Sequence, residues 1–225
     1  MLIYVEGGGN TKLLLSECRR AFRQFLERAG ARRGSFEVVA SGPRLKALKD
    51  FRNALKDGYR DAVLLVDSEE LVPLVAATGQ PMDVWQHLSG RPGGKWTKPA
   101  GATGAQTHLM VACMESWFLA DPSALAAYYR GTHNREAFNE NALPKQADIE
   151  KLDKATVKAA LANATRPNKT KGEYNDDSKG THSFKILATL DPQKIAAASY
   201  HARRLFCHLK IEQLWLDCTK FAPAS

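Results

Sequence analysis

The chain is expected to fold as an α/β protein, with a parallel sheet flanked by helices and a helical extension toward the C-terminus. Three observations predict this. Short, nearly continuous apolar runs occur at 2–6 (LIYVE), 36–40 (FEVVA) and 62–67 (AVLLVD), as in strands buried on both faces. Segments with helical periodicity separate them, and alternation of this kind implies parallel pairing through crossover helices. Beyond about residue 130 the strand pattern disappears while helical patterns continue.

Each element has its own local signals. After the first run, Asn10 and Thr11 offer N-caps, and apolar residues at Leu14, Cys18, Ala21, Phe22, Phe25, Leu26 and Ala29 recur every three or four positions until Gly30 stops the helix. Pro43 opens a second helix, which runs through RLKALKDFRNALK to Gly58. Residues 89–106 carry too much Gly and Pro for regular structure and present Arg91, Lys95 and Lys98 beside Trp96 as a loop. THLMVACM (107–114) resumes as a strand, and ESWFLADPSALAAYY continues as helix, broken or restarted at Asp121-Pro122. Residues 145–164 read as helix, 165–182 as a polar loop and 183–217 as two or three helices. The division expected is an α/β core over 1–125 and a helical extension over 126–225 that packs on it as one unit.

Bulk properties narrow the setting. A chain of 225 residues can bury a sizeable core. No apolar run approaches the ~20 residues a bilayer helix needs, so no membrane partner is expected. A secretory leader pattern is absent, and the expected location is the cytoplasm. Cys18, Cys113, Cys207 and Cys218 form no CxxC pair and lie far apart, which reads as four reduced thiols. Residues 19–60 hold 12 Lys or Arg against 4 Asp or Glu, while the remainder balances at 20 of each. A basic surface confined to one segment suits phosphates and points to nucleic acid, although two solvated helix faces would leave the same composition.

Functional side chains of parallel sheets gather at the C-terminal ends of strands. Three such ends carry acids here: Glu6, Asp67 with Glu69, and Glu115. In extended backbone Asp67 and Glu69 would share one face of the sheet. Singly, each has an ordinary reading as a cap, a turn residue or an acid at a helix N-terminus. Together they repel one another and call for a cation, and hard oxygen ligands suit Mg²⁺ or Mn²⁺. Glu6, Asp67 and Glu69 are the expected metal ligands, with Glu115 a fourth catalytic acid. The glycines after Glu6 match neither GxxxxGK[ST] nor GxGxxG. Gly7 and Gly8 are instead expected to give a substrate phosphate room beside Glu6. Among the basic residues of the C-terminal half, Lys179 and His182 are candidate substrate contacts, whereas Lys169 and Lys171 read as solvated. Lys185, alone in the apolar run SFKILATL, is the candidate for stabilising charge in the transition state.

VEGGG followed by a strand-end Asp-x-Glu resembles the Toprim domain of topoisomerases, primases and overcoming-lysogenization-defect (OLD) nucleases, over roughly the first 120 residues. In that resemblance Glu6 corresponds to the strand-end Glu, and Asp67 and Glu69 to an Asp-x-Asp pair around Mg²⁺, with Glu69 in place of the usual second Asp. Over nearly the whole chain, YVEGGG, LLVDSE, MVACMESWFLAD and SKGTHSFKIL resemble a bacterial Toprim-like family of largely unassigned function. Its members are often encoded beside ATPases in anti-phage defence loci, and one branch is similar to the RNA-attacking nuclease effector of PARIS-type systems. The resemblance implies that Glu115 is a family acid and that Lys179 and Lys185 belong to a C-terminal basic motif.

The expected function is therefore a metal-dependent nuclease that hydrolyses the phosphodiester bonds of RNA, with tRNA a candidate, or of DNA, RNA being the more expected of the two. It would act as a toxin-like effector restrained by an ATPase encoded nearby, with room for a homo-oligomer. The alternative is a non-catalytic Toprim-like module that docks on an ATPase or binds nucleic acid without cutting it.

Overall fold

Four strands form one parallel sheet in the order β2-β1-β3-β4, with β1 at Leu2–Glu6, β2 at Glu37–Gly42, β3 at Val63–Asp67 and β4 at Thr107–Met110. The structure is a computed structural model that describes residues 1–90, 96–130, 138–175 and 179–221. Arg91 and Lys95 of the expected basic loop lie outside these residues. Helices α1 (Lys12–Ala29), α2 (Arg44–Lys56) and α3 (Val84–Gly90) accompany the sheet strands. After β4 come α4 (Ser116–Leu119), α5 (Pro122–Arg130), α6 (Lys154–Thr165), α7 (Lys179–Leu187), α8 (Pro192–Ala198) and α9 (Tyr200–His208).

The pleat sorts the core into two layers. Ile3, Val5, Val38, Ala40, Val63, Leu65 and Met110 point to one face, and Tyr4, Leu64, Val66 and Leu109 to the other. The second face is covered by α2 and α3 through Phe51, Leu55, Trp85 and Leu88. The segment around Trp96 and Ala102 joins them, and the other described helices pack on the first. Phe22 and Phe25 of α1 join Trp117, Phe118, Leu161, Ile186, Ile195 and Phe206 in one continuous cluster, so the C-terminal helices share a core with the first helix. The α1 boundaries are those its caps specify: Thr11 Oγ1 accepts from the Leu14 N–H at 3.3 Å, and Gly30 stops the helix at φ 110°.

Four expectations need correction. β4 ends at Met110 instead of continuing to residue 114, because Ala112 turns the chain at φ 60°. Residues 145–164 are not one helix; a 3₁₀ turn at Ile149–Lys151 precedes α6, whose start is fixed by the Asp153 carboxylate accepting from Thr156 N at 2.7 Å. Helix α3 has no counterpart in the sequence reading. The cysteines are not all reduced: Cys18 and Cys113 are free and buried, whereas Cys207 and Cys218 form a disulfide with Cα atoms 5.5 Å apart. The chain leaves α9, makes a 3₁₀ turn at Glu212–Leu214 and returns, so separation along the sequence overstated separation in space. Closing a loop of this length restricts the unfolded chain by about 2–3 kcal/mol. Chemical denaturation with and without dithiothreitol is expected to reveal a loss of that size, and no difference would show that the bond adds nothing to stability.

Among the described residues, no helix is long and apolar enough to cross a membrane.

Candidate functional site

The strand order reverses direction at β1. From β1 the chain moves outward to β2, then returns past β1 to β3 on its other side, which puts the switch point, where parallel sheets gather their functional residues, at the C-terminal ends of β1 and β3. Glu6 ends β1 and Asp67 ends β3. The β1–β2 register shifts between Val5 and Glu6, which sets Glu6 opposite Gly42. Glu6, Asp67 and Glu69 each present a carboxylate oxygen, and these oxygens all lie within 4.8 Å of one another.

The route by which Glu69 arrives differs from the expectation. Strand β3 stops at Asp67, and Glu69 adopts a left-handed backbone at φ 68°, so a turn brings it to Asp67, not an extended pair of residues on one face. Such a conformation is strained by about 1–3 kcal/mol and has to be held by its surroundings. Ser68 does the holding. Its N–H donates to Met110 O at 2.9 Å, its hydroxyl accepts from the Ala112 N–H at 2.7 Å, and its carbonyl meets His87 Nε2 at 3.3 Å.

Backbone donors fix two of the acids. Glu6 Oε2 accepts from the Asp67 N–H at 3.1 Å, and Asp67 Oδ1 accepts from the Met114 N–H at 2.8 Å. Glu69 Oε2 receives the Lys154 ammonium at 2.5 Å, from the first turn of α6. Burial pushes the Glu6 carboxyl up to about 7, against the opposing pull of Arg44, the Asp67 N–H and Lys154, with Glu69 adding to the rise. Arg44 opens α2 directly after β2 and stacks on buried Trp96, 4.6 Å from its ring centre. The centre thus holds three acids and two flanking cations.

The other expected site residues fall elsewhere. Glu115 does not end a strand, since β4 has already stopped, and it stands outside the three-acid cluster. It is buried and accepts from the Tyr174 hydroxyl at 3.0 Å, which in turn lies 2.5 Å from Ser183 Oγ. A recess of about 260 Å³ opens beside it, bordered by Lys158 of α6 and Tyr174. His182 packs against Tyr128 and Tyr129, with Nδ1 at 2.7 Å from the Tyr128 hydroxyl; burial, then nearby Lys185, holds its pKa below the usual histidine value. Lys185 faces solvent on α7, and helical periodicity explains its apolar neighbours, because Phe184, Ile186 and Leu187 point inward. Lys179 begins α7, and its side chain lies outside the described residues.

The glycines next to Glu6 answer to the protein's own packing. A Cβ on Gly8 would come within 3.0 Å of Leu14 O and Leu15 Cα, and one on Gly7 within 3.3 Å of Cys18 Sγ. Gly7 and Gly42 exchange backbone hydrogen bonds at 2.9 and 3.0 Å, and a Cβ on Gly42 would strike Gly9 O. The missing side chains let α1 and the end of β2 close on this loop.

Sequence reasoning missed Lys154, and it counted Arg44 only as one of many basic residues. Nothing local marks Lys154 as the partner of an acid 85 residues earlier.

Residues 5–210 match the family described as Domain of unknown function (DUF4276). The chain belongs to the DUF4276 family. The match takes in Glu6, Asp67, Glu69, Arg44 and Lys154 alike, so the whole acid centre and both cations lie inside the DUF4276 domain. No curated protein and no solved structure matches the chain.

Proposed function

We propose that this DUF4276 domain is a divalent-cation-dependent phosphodiesterase acting on nucleic acid. The observation that carries the reading is the convergence of Glu6, Asp67 and Glu69 within 4.8 Å at the C-terminal ends of the adjacent strands β1 and β3. Three hard oxygen donors, one of them a carboxyl whose ionisation burial opposes, are a donor set that fits Mg²⁺ or Mn²⁺. A cation bound by these three residues would supply Lewis-acid stabilisation of charge on a phosphodiester.

The chain's own residues do the rest. Asp67 is oriented by the Met114 N–H. Glu6 Oε2 accepts from the Asp67 N–H, and without a cation its buried carboxyl holds a proton more tightly than an ordinary glutamate. Arg44 and Lys154 offset the charge of the acids and can bind phosphate oxygens when a substrate enters. On the resemblance alone, the reading extends to RNA as substrate, a restraining ATPase partner, a role in anti-phage defence and a cytoplasmic location.

A second reading, a docking module without catalysis, draws on Lys154: its ammonium already neutralises one of the three acids without a metal. The two readings separate in one experiment. Purified chain is incubated with tRNA, single-stranded RNA and DNA in Mg²⁺ or Mn²⁺, alone and with the ATPase encoded beside it. Cleavage by the wild type that Glu6→Gln abolishes is expected. Equal cleavage by both removes the acid centre from the reaction, and no cleavage under any condition together with no thermal shift in Mg²⁺ or Mn²⁺ favours the docking module.

A further inference from the structure

Four cations of the basic segment gather at one groove. Arg19, Arg20 and Arg23 of α1 and Arg33 from the following turn border a groove of about 720 Å³, whose far wall is Phe36 and Glu37 at the start of β2. All four guanidinium-bearing side chains are exposed. A single carboxylate, Glu27, serves both Arg23 and Arg33, at 3.1 Å each, and among the described residues no ion pair takes up Arg19 or Arg20. The groove therefore carries more cations than its own acids can neutralise.

Its position relative to the acid centre is set by two elements. The groove lies at the start of β2, and the centre lies beyond its end, where Gly42 stands opposite Glu6. At ~3.3 Å per residue the five steps from Glu37 to Gly42 span about 17 Å. Helix α1 runs the same distance back. Lys12, Ser16, Arg19 and Arg23 fall within one narrow angular sector at 3.6 residues per turn, all four are exposed, and ~1.5 Å per residue separates Lys12 from Arg23 by about 17 Å. A polar track thus leads from the first turn of α1, beside the acid centre, down to the arginines.

We infer that this track binds the backbone of a single nucleic-acid strand and holds it about five stacked nucleotides away from the acid centre. The inference rests on the phosphodiesterase reading for its choice of polyanion and deepens it by naming where the strand runs. Arginine rather than lysine dominates the groove, and a guanidinium presents paired donors that match phosphate oxygens. At the ~3.4 Å rise of a stacked strand, 17 Å corresponds to about five nucleotides. Substrates shorter than that reach the centre without engaging the groove.

The test measures binding apart from cleavage. Fluorescence anisotropy of the intact chain in EDTA is recorded with a labelled 12-nucleotide single-stranded RNA and a 3-nucleotide RNA, over a salt series. The groove variant is Arg19→Gln/Arg20→Gln/Arg33→Gln; the control is Lys49→Gln/Lys56→Gln, two exposed lysines of the same basic segment on the opposite face of the sheet. The groove variant is expected to weaken 12-nucleotide binding at least tenfold and to lower the slope of log K against log salt by about 2, at ~0.7 per phosphate contact. The control should stay within twofold, and the 3-nucleotide RNA should bind alike to all three proteins. Undiminished binding by the groove variant, equal losses in both variants, no binding by the wild type, or displacement of RNA by poly-glutamate at equal charge would each overturn the inference. Groove-dependent binding without any cleavage in Mg²⁺ would leave the track standing and remove the phosphodiesterase reading; cleavage of long RNA that the groove variant performs unchanged would do the reverse.

Discussion

Asp67→Asn is expected to abolish the thermal stabilisation that Mg²⁺ or Mn²⁺ gives the wild type and to reduce phosphodiester cleavage by at least a hundredfold. The substitution isolates charge from architecture. An asparagine Oδ1 can still accept from the Met114 N–H, the 2.8 Å bond that ties the end of β3 to the segment after β4, so the strand ends should remain in place. What disappears is one of three negative ligands within 4.8 Å of one another. Removing a charged ligand from a three-acid set weakens a hard cation far more than it weakens the fold. Far-ultraviolet dichroism and the melting temperature in EDTA should match those of the wild type, while titration with Mg²⁺ should no longer move the melt. A variant that keeps both its cation response and its cleavage would remove Asp67 from the site.

Glu6→Gln is expected to make the cation-free protein more stable at pH 8, even as it disables the site. Glu6 is raised from the ordinary 4.5 to about 7, first by burial. A carboxyl with a raised folded-state pKa binds its proton more tightly in the folded than in the unfolded chain, so its contribution falls as pH rises. The loss begins near pH 4.5, develops up to about 7 and is complete above that. The displacement corresponds to about 3 kcal/mol, the upper end of what the substitution should recover. The difference in unfolding free energy between wild type and Glu6→Gln in EDTA, measured from pH 4 to pH 8, isolates this group from the histidines. It should be near zero at pH 4 and largest at pH 8, and saturating Mg²⁺ should shrink or invert it. A difference independent of pH would mean that Glu6 is ionised without penalty and that its burial is unimportant.

The sheet was legible because strands buried on both faces leave near-continuous apolar runs, and the ends of α1 because Thr11 and Gly30 have little use other than as caps. Glu6 and Asp67 followed from strand ends alone, since residues that close adjacent parallel strands meet at one edge. The reading failed where geometry came from distant contacts. Ala112 gives no compositional hint that it will turn left-handed, and so β4 was extended to residue 114 and Glu115 was set at a strand end. Glu69 reached the cluster by a turn that Ser68 pins through partners 19 to 44 residues away, none of them visible in the local pattern. Lys185 looked anomalous in a linear run and ordinary on a helix. Lys154 lay inside a run read as helix from residue 145, so neither the helix start at Asp153 nor the acidic partner was visible.

The acid centre is also spread widely in the order of synthesis. Glu6 is made before Asp67 and Glu69, and the lysine that neutralises Glu69 follows 85 residues after it. Contacts this distant in sequence close late, after the loops between them have been ordered. A nascent chain therefore exposes an unbalanced cluster of acids at the mouth of an unfinished sheet until α6 docks. Under the proposed phosphodiesterase function, the centre would lack the cation that offsets Glu69 until α6 has been made and docked.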